Sequence, residues 1–373
     1  MNTNLEITFF GSSLVSSYWN GAATYYRGIV RTLAERGHKI TFCEPDIYGR
    51  QQHRDIPDPP WAKVLVYLGH DEAALYKTLT RVADADLLIK CSGIGEFDDL
   101  LEAAVLQAKQ PHTTVAFWDV DAPATLERIT LDPSDPFRAL IPGYDLIFTY
   151  GGGDNVAKLY KRFGARHVEV VYNALDPDTH HPAAPEGRFI SDLGLLANRL
   201  PDREARIEEF FLRPAARTPK RHFVLGGNGW HQKSMPWNVN CVGHVRTTDH
   251  NAFNCSSLAV LNVIRDSMAR CGYSPPTRVF EAAGAAACLI TDAFEGVEAF
   301  LEPGKELLVA RNGDEVLAHL ESLTTARSRA IGQAARSHIL AEHTYRHRAM
   351  QLEHLLQNGS FAWNQKTSFA GAG

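Results

Sequence analysis

Short apolar runs alternate with helix-patterned segments along most of the chain. Residues 5–10 form an apolar run, residues 21–37 follow a polar loop with helical spacing, and residues 39–43 are apolar again. A strand, a helix and a second strand at this spacing predict a βαβ unit, whose two strands pair in parallel. The first loop carries no Gly-x-Gly-x-x-Gly motif, so the usual dinucleotide-binding fingerprint is absent. The repeated pattern predicts an α/β protein.

The alternation occurs twice, on either side of a polar segment rich in proline. Because 373 residues exceed one ordinary hydrophobic core, we predict two Rossmann-like domains. The proline-rich segment places an N-terminal domain at residues 1–182 and a C-terminal domain at residues 187–343, followed by a helix and frayed tail at residues 344–373. Loops at the carboxyl ends of both sets of strands are expected to face a cleft, where such proteins bind ligands.

Composition argues against several classes of protein. The formal net charge is −5, and no run of Lys or Arg exceeds two residues, so we expect no nucleic-acid-binding surface. No apolar run reaches the roughly 18 residues of a membrane span. The first residues lack a signal-peptide pattern, so we expect a cytoplasmic protein. The six cysteines form no Cys-x-x-Cys pair and the sixteen histidines show no zinc-site spacing, so we predict no metal.

One stretch near the C-terminal end, residues 273–298, concentrates the features of a ligand site. Pro275 and Pro276 suit the first turn of a helix, and the helix that follows consists largely of alanine and glycine. So bare a helix must be approached closely by another part of the protein. Glu281 is the only charged residue between positions 278 and 292. A carboxylate near a helix N-terminus at the strand ends can hold a polar ligand; a packed helix with a solvated Glu281 is the alternative.

Two loops at predicted strand ends in the first half also carry candidate residues. Asp119 and Asp121 follow the apolar run of residues 113–118, which places two acids two residues apart at a predicted strand end. Gly152 lies in a Gly-Gly-Gly sequence after another apolar run, where the backbone can come close to a ligand. The alternatives are a helix cap for Asp121 and an ordinary turn for the glycines.

The order of several segments resembles glycosyltransferases of the glycosyltransferase-B fold, in particular the large family 4 type and its CgeB-like (spore-maturation-type) branch. The segments that carry the resemblance are residues 173–176 with Pro182, residues 197–203, residues 224–229, residues 242–245, residues 253–266, residues 274–281 and residues 291–296. Residues 197–203 are similar to the family's Gly-Arg-x-x-x-x-Lys segment. Residues 273–281 are similar to its Glu-x₇-Glu region, with Tyr273 in place of the first Glu.

The resemblance implies a two-domain fold with a cleft and a last helix that returns to the first domain. It also implies transfer of a sugar from a nucleotide-diphosphate donor, a UDP-sugar in our interpretation, to a hydroxyl of a saccharide, lipid-linked or small-molecule acceptor. The nucleotide sugar is then a substrate, and neither a cofactor nor a metal is implied. Arg199 and Arg203 would hold the diphosphate and Glu281 the ribose hydroxyls; a solvated surface charge is the alternative for Arg203. The implied donor-binding residues are Arg199, Arg203, Gly227, Asn228, His244, Val245, Thr277, Arg278 and Glu281.

The resemblance favours a retaining enzyme, in which the leaving diphosphate takes the acceptor proton and Asp119 positions the acceptor. An inverting enzyme would instead use Asp119 or Asp121 as the base. The residues expected to contact the acceptor or the transferred sugar are Trp19, Asn20, Gly152 and Glu295. Because one fold hosts several chemistries, two alternatives stay open: a nucleotide-sugar 2-epimerase-type isomerase, and a non-catalytic nucleotide-sugar-binding or coat-associated protein.

Overall fold

A computed structural model describes residues 4–18 and 20–359. Its described residues form two compact units. Unit 1 contains the residues up to Tyr172 together with those from Tyr345 onward, and unit 2 runs from Asn173 to Thr344. Both units are built from parallel strands that alternate with helices, so the predicted α/β class is confirmed.

The division between the units falls at Tyr172 and Asn173 and not within the predicted boundary at residues 182–187. The proline-rich segment is bonded to unit 2, because the backbone N–H of His181 donates to Asn251 Oδ1 at 3.2 Å. The segment whose prolines predict a linker therefore belongs to the second unit.

Unit 1 contains a seven-stranded parallel sheet. The strands are β1 (Glu6–Phe10), β2 (Lys39–Asp46), β3 (Lys63–Leu68), β4 (Leu87–Cys91), β5 (Thr114–Asp119), β6 (Leu146–Thr149) and β7 (Val168–Val170). Their order in the sheet is β3-β2-β1-β4-β5-β6-β7. The strands β1, β4, β5 and β6 are buried along almost their whole length, as expected where helices cover both faces of a parallel sheet. The helices are α1 (Ala23–Glu35), α2 (Glu72–Val82), α3 (Asp98–Gln107), α4 (Ala122–Leu131), α5 (Pro136–Leu140) and α6 (Gly153–Arg162).

Unit 2 contains a six-stranded parallel sheet. The strands are β8 (Ser191–Leu196), β9 (Phe223–Gly226), β10 (Val239–Gly243), β11 (Ser257–Asn262), β12 (Leu289–Asp292) and β13 (Leu308–Ala310). Their order in the sheet is β10-β9-β8-β11-β12-β13. The helices are α7 (Pro201–Ile207), α8 (Arg213–Arg217), α9 (His250–Ser256), α10 (Asp266–Cys271), α11 (Thr277–Gly284), α12 (Gly313–Ser322) and α13 (Thr325–Glu342). A π-helical turn joins α7 to α8.

The bare helix of the sequence is α11, and other parts of unit 2 approach it closely, as its composition predicts. A Cβ placed on Gly284 would lie 2.9 Å from the carbonyl oxygen of His180. A Cβ placed on Gly332 of α13 would lie 2.0 Å from the carbonyl oxygen of Ala286, just beyond α11. Larger side chains at either glycine would separate these segments, because backbone atoms cannot move aside as a flexible side chain can.

The last helix, α14 (Tyr345–Asn358), belongs to unit 1 although it follows unit 2 in the sequence. It packs on α1, where a Cβ placed on Gly28 would lie 2.1 Å from the ring of Tyr345. Arg36, just after α1, pairs with Glu353 on α14, with 2.7 Å between Nε and Oε1. The expected return of the last helix to the first domain is confirmed. In the described residues, no helix combines the length and the apolar content needed to cross a membrane.

Candidate functional site

The glycine loop after β9 is bonded to the loop after β8 at the carboxyl ends of these strands. The backbone N–H of Arg199 donates to the carbonyl of Asn228 at 2.9 Å, and the Asn228 N–H donates to Asn198 Oδ1 at 2.9 Å. Gly227 has φ +126°, and a Cβ there would lie 2.1 Å from the carbonyl oxygen of Ala197. Only glycine fits this position, so part of the predicted ligand loop serves to join the two loops.

The two arginines predicted to hold a diphosphate both have protein partners. Arg199 forms a bidentate ion pair with Glu204, in which Nε donates to Oε2 at 2.9 Å and Nη2 donates to Oε1 at 2.8 Å. Nζ of Lys233 also donates to Oε1 of Glu204, at 2.9 Å. Hydrogen bonds from Arg199 and then Lys233 lower the pKa of Glu204 to about 2. Arg203 donates from Nη2 to the carbonyl of Asn198 at 2.7 Å. A role for Arg199 on a phosphate would therefore require its pair with Glu204 to open.

Arg278 lies in the first turn of α11, and its environment is unusual for a charged side chain. The residue is 7% exposed, and none of its three guanidinium nitrogens has a hydrogen-bond partner among the described residues. Its Cζ lies 5.5 Å from the centre of the Phe253 ring. Burial lowers the pKa of Arg278 to about 10. Because an unpaired buried charge is costly, this guanidinium is well suited to bind an anion.

Glu281 follows one turn later on the same helix and is 8% exposed. Burial acts to raise the pKa of Glu281, but His180, His250 and Arg278 act against it, with a hydrogen bond from Thr277, and the net effect is a lowered pKa. The carboxylate is therefore ionised at neutral pH, and its two oxygens can accept hydrogen bonds from a ligand diol.

Two histidines that the sequence did not single out lie beside Glu281. Nε2 of His180 is 3.7 Å from Oε1 of Glu281, and the rings of His180 and His250 stack with centres 6.0 Å apart. Neither ring nitrogen of His180 has a hydrogen-bond partner within the described ranges. Burial lowers the pKa of His250 to about 4, so its imidazole is neutral at pH 7. No local spacing could predict this group, because its members come from the proline-rich segment, α9 and α11.

The structure thus places Thr277, Arg278 and Glu281 together on α11 and gives the other donor-side candidates different surroundings. The side chain of Val245 is buried in an apolar cluster with Phe253, whereas His244 is exposed. Glu295 is also exposed, and its carbonyl accepts from the backbone N–H of Tyr273 at 2.7 Å.

In unit 1, Asp119 is enclosed by the protein. Its Oδ1 accepts from the hydroxyl of Ser92 at 2.7 Å and from the backbone N–H of Asp121 at 3.0 Å, with Thr125 at 3.1 Å, and its Oδ2 accepts from the hydroxyl of Tyr160. The residue is fully buried, and burial raises its pKa. These contacts are those of a carboxylate that fastens strand ends together. Of the two predicted bases, Asp121 is the one that is partly exposed, and it lies at the start of α4.

The residues predicted to meet the acceptor divide in a similar way. Asn20 accepts from Ser12 at 2.9 Å and donates to the carbonyls of Ser13 and Ser16, so its side chain fixes the loop between β1 and α1. Gly152 has φ +88° and is the N-cap residue of α6. Trp19 lies outside the described residues.

Comparisons with known proteins show a match to one family model and to several solved structures of similar fold. Residues 203–354 match the model of a family described as glycosyl transferase-like. HepE from Anabaena, solved in complex with UDP and glucose, matches with a TM-score of 0.70 and 12% identity over 95% of this chain and 100% of HepE. Sucrose-phosphate synthase from Thermosynechococcus elongatus matches with a TM-score of 0.68 and 13% identity over 94% of this chain and 98% of that one. The chain has the glycosyltransferase-B fold.

A third similar structure is an alpha-glucosyltransferase in complex with UDP-glucose and DNA containing an abasic site, with a TM-score of 0.70 and 11% identity over 95% of this chain and all of that one. A comparison with curated protein sequences finds no match. The match to the family model includes α11 and hence Thr277, Arg278 and Glu281. The description of the family model, glycosyl transferase-like, agrees with the expected enzyme class, glycosyltransferase.

Proposed function

We propose that the protein transfers a sugar from a nucleotide-diphosphate donor, a UDP-sugar, and that the nucleotide binds in unit 2 at the start of α11. The observation that carries the proposal is the buried guanidinium of Arg278, which has no protein partner within the described residues and lies one helical turn from the ionised carboxylate of Glu281. Solved structures of the same fold contain UDP or UDP-glucose, which supports this choice of ligand.

The proposed role of Arg278 is to bind the diphosphate. A guanidinium and the N-terminus of α11 both favour an anion, and the guanidinium can donate two parallel hydrogen bonds to phosphate oxygens. When the bond to the sugar breaks, negative charge grows on the diphosphate. A fixed cation in a buried site then stabilises the transition state more than the ground state, which is the requirement for catalysis.

The proposed role of Glu281 is to accept hydrogen bonds from the two ribose hydroxyls. This role makes a test that is specific to the ribose: the wild-type protein should bind UDP more tightly than 2′-deoxy-UDP. The variant Glu281→Gln should bind UDP more weakly and should lose most of this discrimination, because the amide can accept at only one of its two positions.

For the acceptor side, we propose transfer to a hydroxyl group with retention of configuration at the sugar, without a metal ion in the transfer step. Asp121 would position the acceptor, and the leaving diphosphate would take its proton. We also place the protein in the CgeB-like branch and in the cytoplasm, on the segments of the sequence that resemble that branch. Proton NMR of the product, by the coupling constant of the anomeric proton, distinguishes retention from inversion.

Calorimetric titration with UDP tests the nucleotide site directly. Arg278→Gln should weaken UDP binding at least about 100-fold, because it removes two charge-assisted hydrogen bonds. Glu298→Gln, at an exposed position in the same unit, is the matched control and should leave the affinity unchanged. Equal UDP affinity in wild type and Arg278→Gln would refute the proposed site. Conversion of a UDP-sugar to an isomer without any acceptor, followed by NMR, would indicate an isomerase.

A further inference from the structure

The side chains of His180, His250 and Glu281 converge in unit 2. One ligand atom from each lies within 4.8 Å of the other two. We propose that these three side chains bind a divalent transition-metal ion of the Zn²⁺ type. Two imidazoles and one carboxylate are a common ligand set for such ions, and three protein ligands leave a fourth position open.

The distances suit a tetrahedral ion. Bonds of about 2.0–2.1 Å from zinc to nitrogen or oxygen place two ligands about 3.4 Å apart. Nε2 of His180 and Oε1 of Glu281 are 3.7 Å apart, so a small rotation of either side chain closes the site. The stacked rings of His180 and His250 place the second imidazole next to the first.

The two histidines have nitrogens to offer. His180 is 2% exposed, and both of its ring nitrogens are without hydrogen-bond partners among the residues described, as is Nδ1 of His250. The ring of His250 also has a hydrogen bond with the backbone of Val245. Buried polar atoms normally have partners, so their concentration around one ionised carboxylate points to a ligand. A metal ion satisfies an imidazole nitrogen and a carboxylate oxygen at once.

The position of His180 is set by the packing of α11. The backbone N–H of His180 donates to the carbonyl of Asp176 at 2.9 Å, which closes a turn in the proline-rich segment. Its own carbonyl lies against Gly284, where a Cβ would come within 2.9 Å. The glycine therefore lets the segment carry His180 to within reach of Glu281, three residues earlier on the same helix.

Metal and nucleotide are expected to exclude one another, because both use the carboxylate of Glu281. This competition rests on the proposed function, whereas binding of the metal to the apoprotein does not. The two ideas therefore fail separately: a protein that binds Zn²⁺ but not UDP keeps the metal site, and one that binds UDP but not Zn²⁺ loses it.

The test uses the full chain, freed of metal by dialysis against a chelator, and titrates it with Co²⁺ and Zn²⁺. A second cluster, formed by His338, Glu342 and His343 on and after α13, must be separated from the first. All titrations are therefore repeated with His338→Ala. We expect one Co²⁺ per chain with the visible absorption of a tetrahedral site, retained in His338→Ala, and a Zn²⁺ affinity at least 100-fold weaker in His250→Ala and in the milder His180→Gln.

Competition is tested by titrating UDP with and without one equivalent of Zn²⁺. Zn²⁺ should weaken UDP binding at least tenfold in the wild type and not in His250→Ala, which controls for direct binding of the ion by UDP. The metal site is overturned by an octahedral Co²⁺ spectrum, by equal Zn²⁺ affinity in His250→Ala, or by binding that disappears only in His338→Ala. Thermal unfolding of each variant identifies any that fails to fold, in which case His180→Gln decides.

Discussion

Replacing Arg278 with methionine should make the ligand-free protein more stable and remove nucleotide binding. The guanidinium is buried and has no hydrogen-bond partner in the described parts of the chain. Methionine has a similar length, fills irregular apolar space and can keep contact with the Phe253 ring. Most substitutions of a buried residue destabilise a protein. A gain in stability would therefore indicate that Arg278 serves ligand binding and not the stability of the fold.

The magnitude follows from the effect of burial on the charge. The pKa of Arg278 falls from 12.5 to about 10, mainly because the site is desolvated. At about 1.4 kcal/mol for each tenfold change, this fall corresponds to roughly 3 kcal/mol against the charged form. This figure is already the net of burial and of the opposing attraction of Glu281. Part of the gain is lost in packing, because even a hydrophobic replacement of similar volume costs up to about 1.5 kcal/mol. We therefore expect Arg278→Met to raise the free energy of unfolding by about 1–2 kcal/mol.

Urea unfolding without ligand measures the stability, and thermal unfolding with and without UDP measures binding. A ligand that binds only the native state raises the midpoint, and this rise should vanish in Arg278→Met. Arg329→Met, at an exposed position on α13, is the matched control and should change stability by less than about 0.5 kcal/mol. A loss of more than about 1 kcal/mol in Arg278→Met, or an unchanged response to UDP, would refute the reasoning.

Two further predictions concern stability. Gly28→Ala should lower the free energy of unfolding by about 1–2 kcal/mol, because the clash of a Cβ 2.1 Å from the Tyr345 ring costs more than the gain in helix propensity. At Gly21 a Cβ would have no atom within 4 Å, so Gly21→Ala should leave the stability in urea unfolding nearly unchanged. Equal effects of the two substitutions would contradict this packing. Burial raises the pKa of Asp292 to about 6, against the pull of Arg206, so the folded state binds this proton more tightly than the unfolded state. As the pH falls from 7 to 4, the free energy of unfolding of the wild type should therefore rise by about 2 kcal/mol relative to that of Asp292→Asn. Parallel pH profiles of the two proteins would exclude this role of Asp292.

The strands were predictable because both faces of a parallel sheet are buried, which makes each strand an apolar run. The small-residue composition of α11 likewise predicted close packing, and Gly284 shows it against His180. The domain boundary was harder to place, because prolines indicate a break in regular structure and do not show which unit the segment joins. In the structure, His181 bonds to unit 2.

The candidate site was predictable only where its residues share one helix. Arg278 and Glu281 are three positions apart on α11, so the sequence alone places them on one face. The pair between Arg199 and Glu204 is local, whereas the partners of Asp119 depend on tertiary contacts. Arg199 turns to Glu204, and the hydroxyl of Tyr160 reaches Asp119 from a residue 41 positions away. Residue type and strand-end position cannot distinguish a carboxylate that fastens strands from one that awaits a ligand.

The distinction between these two kinds of buried charge lies in their hydrogen bonds. Asp119 in unit 1 is as deeply buried as any ionisable group in the described residues, yet both of its oxygens accept from protein donors. Around Glu281 in unit 2, Arg278 and His180 have side-chain nitrogens without any such partner in the described chain. Satisfied groups stabilise a fold, whereas unsatisfied ones reduce its stability and persist only where another requirement holds them. Because the unsatisfied groups here surround one carboxylate at the start of one helix, ligand binding is the requirement that explains them together.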